Sequence, residues 1–306
     1  MSRQKLGQHF LRSSAWRARI ARSLPADANT IWIEIGPGHG EMTETLAQRA
    51  SHLIAIETDP ALAASLRDRA VKNWPNVEII EADILSVDLA KLVDSDPSAP
   101  LRQGTASAVP NAAAPIAPLG AEVGRRFRAS ESKTNADRFR VYGNLPYYIT
   151  SPILRHLFRY ADQIDSIHVV VQREVAERIA AHPSSRDYGY LSALCQYYAQ
   201  PEISLRIPPG AFLPPPKVFS ALVAMQLPGQ RASLHITDDA AFLKFLQQCF
   251  AQKRKTLRNN LKAAYSDLAL QEALAAAGFG SKARAEELTL SQFADLFARL
   301  RESKMH

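Results

Sequence analysis

The feature that most constrains this chain is a regular alternation of apolar runs and amphipathic segments between Thr30 and Asp83. Three short apolar runs rich in Ile, ending near Gly36, Glu57 and Asp83, alternate with two segments of helical spacing. Because strands that alternate with single helices form βαβ crossovers, these strands are predicted to be parallel. The chain is therefore expected to be an α/β protein built on one open sheet.

A tract rich in Ala, Pro, Ser and Gly, residues 94–138, interrupts the alternation. It contains few large apolar residues and no periodicity, and segments of this composition cannot bury enough surface to fold. We predict a disordered insertion within the first domain. From Asp238 onward the sequence is typical of helices alone, without a strand candidate. The predicted domains are residues 1–229 and 230–306.

The composition excludes several classes of protein. The 306 residues include 37 Lys and Arg against 30 Asp and Glu, and the net charge of +7 is compatible with a polyanionic partner. No apolar run approaches the ~20 residues that cross a bilayer, so no membrane association is expected. Cys195 and Cys249 lie far apart, which argues against a disulfide or metal framework and for a reducing, cytoplasmic location. We expect a monomer, since no strong apolar patch for self-association is evident.

Polar groups follow three successive predicted strands at the same edge of the sheet. Gly36, Gly38 and Gly40 form a strand-to-helix turn in which the backbone can approach a ligand closely. Glu57 ends the next strand, where an acid about 20 residues after the glycines commonly holds ribose hydroxyls, and Asp83 ends the third. Together they predict a nucleoside pocket, and the G-x-G-x-G spacing favours S-adenosylmethionine over a dinucleotide.

The sequence "NLPY", Asn144 to Tyr147, ends the fourth strand at that edge. An exocyclic base amine is a poor nucleophile, because its lone pair is delocalised into the ring. Two acceptors, the Asn144 amide oxygen and the Leu145 carbonyl held by Pro146, would turn the nitrogen towards tetrahedral geometry and aim its lone pair at a methyl sulfonium. Tyr147 offers a face on which an extruded base can stack. The hypothesis is a centre that methylates a base amine.

The chain resembles KsgA-type rRNA adenine dimethyltransferases over nearly its whole length outside the insertion. The resemblance lies in seven motifs that occur in the family's order: GQHFL, EIGPGHG, IETD, ADIL, GNLPYY, AFLPPPKV and FAQKRKTLRNNL. The resemblance implies a class I, Rossmann-like methyltransferase sheet with a small all-helical C-terminal domain. It also implies metal-free transfer of methyl groups from S-adenosylmethionine to N6 of two adjacent adenosines near the 3′ end of small-subunit (16S) rRNA, in the assembling small subunit. By the same resemblance, the cofactor contacts fall on His9, Leu11, Gly36, Gly38, Glu57, Asp83 and Asn144.

Two segments differ from the family pattern or add to it. His9 stands where the family usually has Asn, and an imidazole can still donate or accept one hydrogen bond. Pro214 to Pro216 lock an extended backbone, and the resemblance suggests that they present Phe212 as a second aromatic plate opposite Tyr147. Packing of Phe212 in the core is the alternative. Tyr148 is interpreted as a packing residue.

A basic surface is predicted on a helix of the C-terminal domain, between Phe250 and Lys262. Arg254, Arg258 and Lys262 recur at every fourth residue, beside Lys255. We expect these four side chains to bind rRNA phosphates. The alternative is an ordinary solvated helix face.

Three other functions stay open at this stage. The first is the related methylation of large-subunit rRNA in antibiotic resistance, against which PPPKV and KRKTLRNNL argue. The second is a non-catalytic ribosome-assembly or transcription factor, which an intact NLPY together with Glu57 and Asp83 disfavours. The third is a nicotinamide oxidoreductase, which is disfavoured because no proton-transfer residue stands where a hydride acceptor would bind.

Overall fold

The computed structural model describes residues 9–26, 29–93, 138–146 and 148–302. These residues divide into two compact units: those up to 176 together with 201–227, and 177–200 together with 228–302. The second unit thus takes in residues 177–200, which the sequence analysis assigned to the first domain. The predicted insertion lies, except for Arg138, outside the described residues. No helix within the described ranges is long and apolar enough to cross a bilayer.

The first unit is built on one mixed sheet, formed by the apolar runs that the sequence predicts as strands. Its strands lie in the spatial order β4 (Val77–Glu81), β3 (His52–Glu57), β2 (Ile31–Ile35), β5 (Phe139–Asn144), β6 (Ile164–Gln172), β9 (Ser220–Gln226) and β7 (Gln200–Ile207). The strands β4, β3, β2 and β5 are mutually parallel, as predicted; β6 is parallel to them as well, and β9 runs antiparallel to β6. A separate antiparallel pair joins β1 (Phe10–Leu11) to β8 (Phe212–Leu213).

Helices connect the strands of this unit. They are α1 (Ser14–Ser23), α2 (Thr43–Ala47), α3 (Pro60–Asn73), α4 (Leu89–Val93), α5 (Thr150–Leu157) and α6 (Arg173–Ile179), the last at the division between the units. The start of α3 follows from its sequence, because the Asp59 carboxylate accepts two backbone N–H groups as N-cap and Pro60 occupies the first turn. The parallel arrangement brings the carboxyl ends of β2, β3, β4 and β5 to one edge of the sheet, where the predicted site residues stand.

The second unit is helical. It contains α7 (Tyr190–Tyr198), α8 (Asp239–Cys249), α9 (Leu257–Leu261), α10 (Asp267–Ala276) and α11 (Leu290–Glu302). Aromatic rings form its core. The ring centroid of Phe242 lies 5.3 Å from that of Tyr197 and 5.4 Å from that of Phe297. The Tyr197 hydroxyl also donates to Asp239 at 2.5 Å. These contacts are the reason that α7 belongs to this unit and not to the sheet.

The basic segment of this unit is not one helix, contrary to the prediction. Helix α8 ends at Cys249, and α9 begins only at Leu257, where the Thr256 hydroxyl acts as N-cap. The side-chain amide of Asn260 donates to the Cys249 carbonyl at 2.7 Å, which satisfies the end of α8 and stabilises the break. The four-residue spacing of the basic side chains therefore defines no helix face.

Candidate active site

The glycine turn after β2 has a left-handed backbone. Gly36, Gly38 and Gly40 have φ of +63°, +61° and +77°, a region that L side chains rarely adopt. A Cβ at Gly38 would lie 2.8 Å from the Phe10 ring, and one at Gly40 would lie 2.8 Å from Leu66. The turn needs glycine for both conformation and space, and it places backbone N–H groups at the carboxyl edge.

Glu57, the last residue of β3, is buried next to this turn. Its Oε2 accepts the Gly38 N–H at 3.0 Å, and its Oε1 accepts the Asp59 N–H at 2.9 Å. An ionised carboxylate has about four lone-pair positions, so each oxygen can accept one further hydrogen bond. Two carboxylate oxygens can accept the two hydroxyls of a ribose, and cofactor binding by Glu57 stays a prediction.

A small cavity lies between the glycine turn and the ends of β2 and β5. It is lined by Phe10, Leu11, Glu34, Gly36, Pro37, Glu41, Met42, Tyr142 and Asn144. Leu11, Gly36 and Asn144 are predicted cofactor contacts, and the fold brings them together here. Asp83 does not line this cavity; it is exposed and caps the turn after β4 by accepting the Leu85 N–H at 3.0 Å.

Asn144 is oriented by the N-terminal strand. Its Nδ2 donates to the backbone carbonyl of His9 at 2.8 Å. Because this bond fixes which end of the amide faces His9, the acceptor atom Oδ1 faces away from it. In the described part of the chain no donor binds Oδ1, so this oxygen can accept a hydrogen from a substrate amine.

The backbone after Asn144 is equally well defined. The Leu145 N–H donates to the Val170 carbonyl at 3.0 Å, which continues the sheet by one residue. Pro146 then restricts Leu145 to an extended conformation, and its own carbonyl accepts the Ile149 N–H at 3.2 Å. Tyr147, the predicted stacking residue, lies outside the described residues.

The imidazole of His9 connects the N-terminal strand to the proline-rich segment. Its Nδ1 lies 2.7 Å from the Pro214 carbonyl oxygen. A carbonyl can only accept, so Nδ1 carries the proton in this contact. The structure thus makes His9 a positioning residue, with its ring on Pro214 and its carbonyl on Asn144. A contact between its side chain and the cofactor stays a prediction.

Two aromatic side chains do not lie as the sequence analysis expected. Phe212 is only 4% exposed and packs in the core cluster that includes Leu11, so the predicted open face is wrong and the core alternative holds. The pairing of Leu11 with Phe212 turns this ring inward, and alternation along the strand leaves Leu213 outside. Tyr148, interpreted as a packing residue, is 73% exposed.

A buried acid that the sequence analysis missed lies beside the cavity. Glu34 interrupts the apolar run of β2, and the Thr43 hydroxyl donates to its Oε2 at 2.7 Å. Burial raises the pKa of Glu34 to about 8; the Thr43 hydrogen bond opposes this shift, and the charges of Glu41 and Glu57 add to it. The Tyr142 hydroxyl is also buried, without a hydrogen-bond partner among the described residues. The sequence signal was the single acid in "IWIEI".

Replacing Glu34 by Gln is expected to flatten the pH dependence of stability. The folded protein holds this proton more tightly than the unfolded chain, so the free energy of unfolding falls as the pH rises from about 4.5 to about 8. Glutamine has no proton to lose in this pH range. The free energy of unfolding of the variant should therefore exceed that of the wild type at pH 9 by about 1 kcal/mol or more. Urea denaturation at pH 6 and pH 9 measures this, with the exposed Glu44→Gln as control. Equal pH slopes for Glu34→Gln and wild type would contradict it.

The four predicted RNA-binding side chains differ in their surroundings. Arg254, Lys255 and Lys262 are exposed. Arg258 instead forms a bidentate pair with Asp267, with Nε donating to Oδ1 at 2.7 Å. Hydrogen bonding to Arg258 lowers the pKa of Asp267 below its ordinary value. Arg258 thus holds the first turn of α10, and its assignment as a free phosphate-binding cation is corrected.

Comparison with known families and proteins agrees with this geometry. The family model "Ribosomal RNA adenine dimethylase" matches residues 1–302. The chain is 41% identical over 298 residues to "Ribosomal RNA small subunit methyltransferase A" of Koribacter versatilis, covering 97% of this chain and 94% of the relative. It is 42% identical over 299 residues to the protein of the same name in Acidobacterium capsulatum, covering 97% and 91%.

Solved structures share the fold. The 23S rRNA methyltransferase ErmE is 25% identical, with a TM-score of 0.61 over 95% of this chain and 99% of that one. A dimethyladenosine transferase from Plasmodium falciparum is 19% identical, with a TM-score of 0.71 over 97% and 98%. The predicted class I, Rossmann-like methyltransferase sheet followed by C-terminal helices is confirmed.

Proposed function

Because the chain belongs to the ribosomal RNA adenine dimethylase family, we propose that it is an enzyme that transfers methyl groups from S-adenosylmethionine to N6 of adenosine in small-subunit rRNA. Identities of 41% and 42% to proteins named for the small subunit, against 25% to the 23S enzyme, favour the small subunit. The proposed target is a pair of adjacent adenosines near the 3′ end of that rRNA, and the proposed partner is the assembling small subunit. We further propose that the protein is a cytoplasmic monomer and that the reaction needs no metal.

The observation that carries this proposal is the hydrogen bond from Asn144 to the His9 carbonyl. It leaves an amide acceptor at the carboxyl edge, next to the extended Leu145 carbonyl that Pro146 stabilises. Two acceptors so placed can bind both hydrogens of an adenine amine and localise the nitrogen lone pair for attack. They act without a general base, since an amine that attacks an electrophilic methyl group can lose its proton to water afterwards.

The residues around the cavity fit S-adenosylmethionine, which supplies an electrophilic methyl group when bound. Glu57 would hold the ribose hydroxyls, and Gly36 and Gly38 let the backbone approach the ligand. Leu11 supplies an apolar wall. Asp83 would hold the base from the exposed turn after β4, as the family resemblance implies. The carboxylates in this region also favour a cationic ligand over an anionic dinucleotide.

Methyl transfer to isolated subunits tests the function. Undermethylated small and large ribosomal subunits are incubated with S-adenosylmethionine carrying a labelled methyl group, and the modified base is mapped. Label in dimethyladenosine of the small-subunit rRNA is expected, together with unlabelled large subunits. Label confined to the large subunit, or to a base other than adenine, would contradict the proposal.

We also propose that Arg254 and Lys255 bind rRNA phosphates, because both are exposed cations in the turn between α8 and α9. Replacing both by Ala is expected to weaken rRNA binding and to lower the slope of log K against log salt by about two. Filter binding at several salt concentrations measures this slope. The exposed Lys244→Ala and Lys282→Ala, in the same unit, serve as controls. An unchanged slope would contradict the assignment.

A further inference from the structure

Exposed large hydrophobic side chains concentrate near the catalytic edge of the sheet. Among the described residues, those that are more than a third exposed are Val71, Leu85, Tyr148, Leu213, Val218, Phe219 and Leu268. Tyr148 follows the NLPY turn, and Leu213 is the last residue of β8, the strand that pairs with β1. Val218 and Phe219 lie directly before β9. An exposed apolar group is common by itself, whereas several at one site mark a binding surface.

The sheet register places Phe219 near Asn144. Asn144 pairs with Val170 on β6, and β6 continues to Gln172, which pairs with the first residue of β9. Phe219 precedes that residue, and its carbonyl accepts the Arg173 N–H at 2.9 Å just beyond the end of β6. Neighbouring strands lie about 4.8 Å apart, so β5 and β9 are about 10 Å apart. Phe219 thus stands beyond the carboxyl edge, on the opposite side of β6 from Asn144.

Tyr148 stands on the other side of β6, four residues after Asn144. The carbonyl of Pro146 holds the turn below it, through the Ile149 N–H and the Thr150 hydroxyl at 3.2 and 3.3 Å. Tyr148, which is 73% exposed, and Phe219, which is 47% exposed, therefore flank the end of β6 within one compact unit. Phe212, which the sequence analysis put forward for stacking, is buried and cannot take this place without moving.

The charges around these rings suit an anionic partner. Lys217 is exposed two residues before Phe219. Arg12 is exposed as well, and its backbone N–H donates at 3.0 Å to the carbonyl of Ala211, at the start of the segment that leads to Phe219. Aromatic faces interleaved with cations are the features with which proteins bind single-stranded nucleic acid, because every base has a stacking face and every nucleotide a phosphate.

We propose that Tyr148 and Phe219 stack on the unpaired rRNA bases that flank the target adenosine. An adenosine whose N6 binds at Asn144 brings its chain neighbours to the residues that surround this position, where Tyr148 and Phe219 are the aromatic side chains that stand exposed among the described residues. The buried Phe212 then supports the wall of the cavity, and Phe219 makes the contact with RNA. This inference rests on the proposed function, which wild-type methylation of small subunits tests separately.

Steady-state kinetics on undermethylated small subunits test the proposal. Tyr148→Ala and Phe219→Ala are each expected to raise KM for the subunit about tenfold, because one stacked base is lost. The value of kcat and the affinity for S-adenosylmethionine should stay within about twofold of wild type, since neither ring lines the cavity. Tyr148→Phe and Phe219→Tyr keep a ring and should behave as wild type. Val71→Ala and Leu268→Ala remove equally exposed apolar groups elsewhere and serve as controls.

A fluorescent base separates stacking from other contacts. An RNA oligonucleotide with 2-aminopurine next to the target adenosine should be quenched on binding to wild type and less quenched by Tyr148→Ala or Phe219→Ala. A Phe219→Leu variant with wild-type KM would overturn the proposal, because leucine keeps the apolar contact without a ring. So would a raised KM for subunits with unchanged quenching of the oligonucleotide, since the surface would then contact a ribosomal protein.

Discussion

Replacement of Asn144 by Ala is expected to lower kcat for methyl transfer by about 100- to 1,000-fold, the loss found when one preorganised hydrogen-bonding group is removed from a transition state. The Nδ2 bond to the His9 carbonyl aims Oδ1 in advance, so its acceptor geometry costs no reorganisation during the reaction. Ala leaves one substrate N–H without a partner. The affinity for S-adenosylmethionine should change little, and single-turnover kinetics with isothermal titration measure the two quantities separately.

An Asn144→Asp variant tests the orientation. A carboxylate keeps an acceptor, but it places an oxygen against the His9 carbonyl oxygen, where the amide nitrogen donates at 2.8 Å in the wild type. We therefore expect Asp to be nearly as inactive as Ala. The exposed Asn73→Ala serves as control, since its amide donates to the carbonyl of Arg69, four residues earlier in the same helix. Near-normal kcat in Asn144→Ala would remove the proposed mechanism.

Replacement of Glu57 by Gln is expected to weaken binding of S-adenosylmethionine about 100-fold or more, because hydrogen bonds to a charged acceptor are the strong ones. Both carboxylate oxygens accept backbone N–H groups, from Gly38 and from Asp59. A glutamine side chain has one oxygen, so its amide group would face one of these donors and disturb the glycine turn as well. Titration calorimetry measures the loss.

A matched control for Glu57 lies on the neighbouring strand. Glu78 is a largely buried carboxylate of β4 that faces His52 at 3.6 Å, near the start of β3. Glu78→Gln should leave the affinity for S-adenosylmethionine unchanged. If Glu57→Gln bound the cofactor as tightly as Glu78→Gln, the ribose assignment would be wrong.

Local patterns were sufficient for the strands and for most of the site. The runs around Ile33, Ile54 and Val141 become buried parallel strands as predicted, because most of their residues on both faces are apolar. Gly38 and Glu57 meet because successive parallel strands end at one edge, which follows from chain order alone. The break between α8 and α9 was missed, since Asn260 acts on a carbonyl eleven residues earlier and leaves the spacing of charges unchanged.

The sequence by itself determined the α/β class, the glycine turn, the acid of β3 and the NLPY turn, because each depends on residues close in the chain or on strand order. Only the tertiary structure decided that His9 orients Asn144, that Phe212 is buried while Phe219 is exposed, and that Arg258 is bound by Asp267. The orientation of Asn144 and the burial of Phe212 depend on pairing between two distant segments, β1 and β8. A one-residue change in that register would exchange the inward and outward side chains, and no local pattern specifies it.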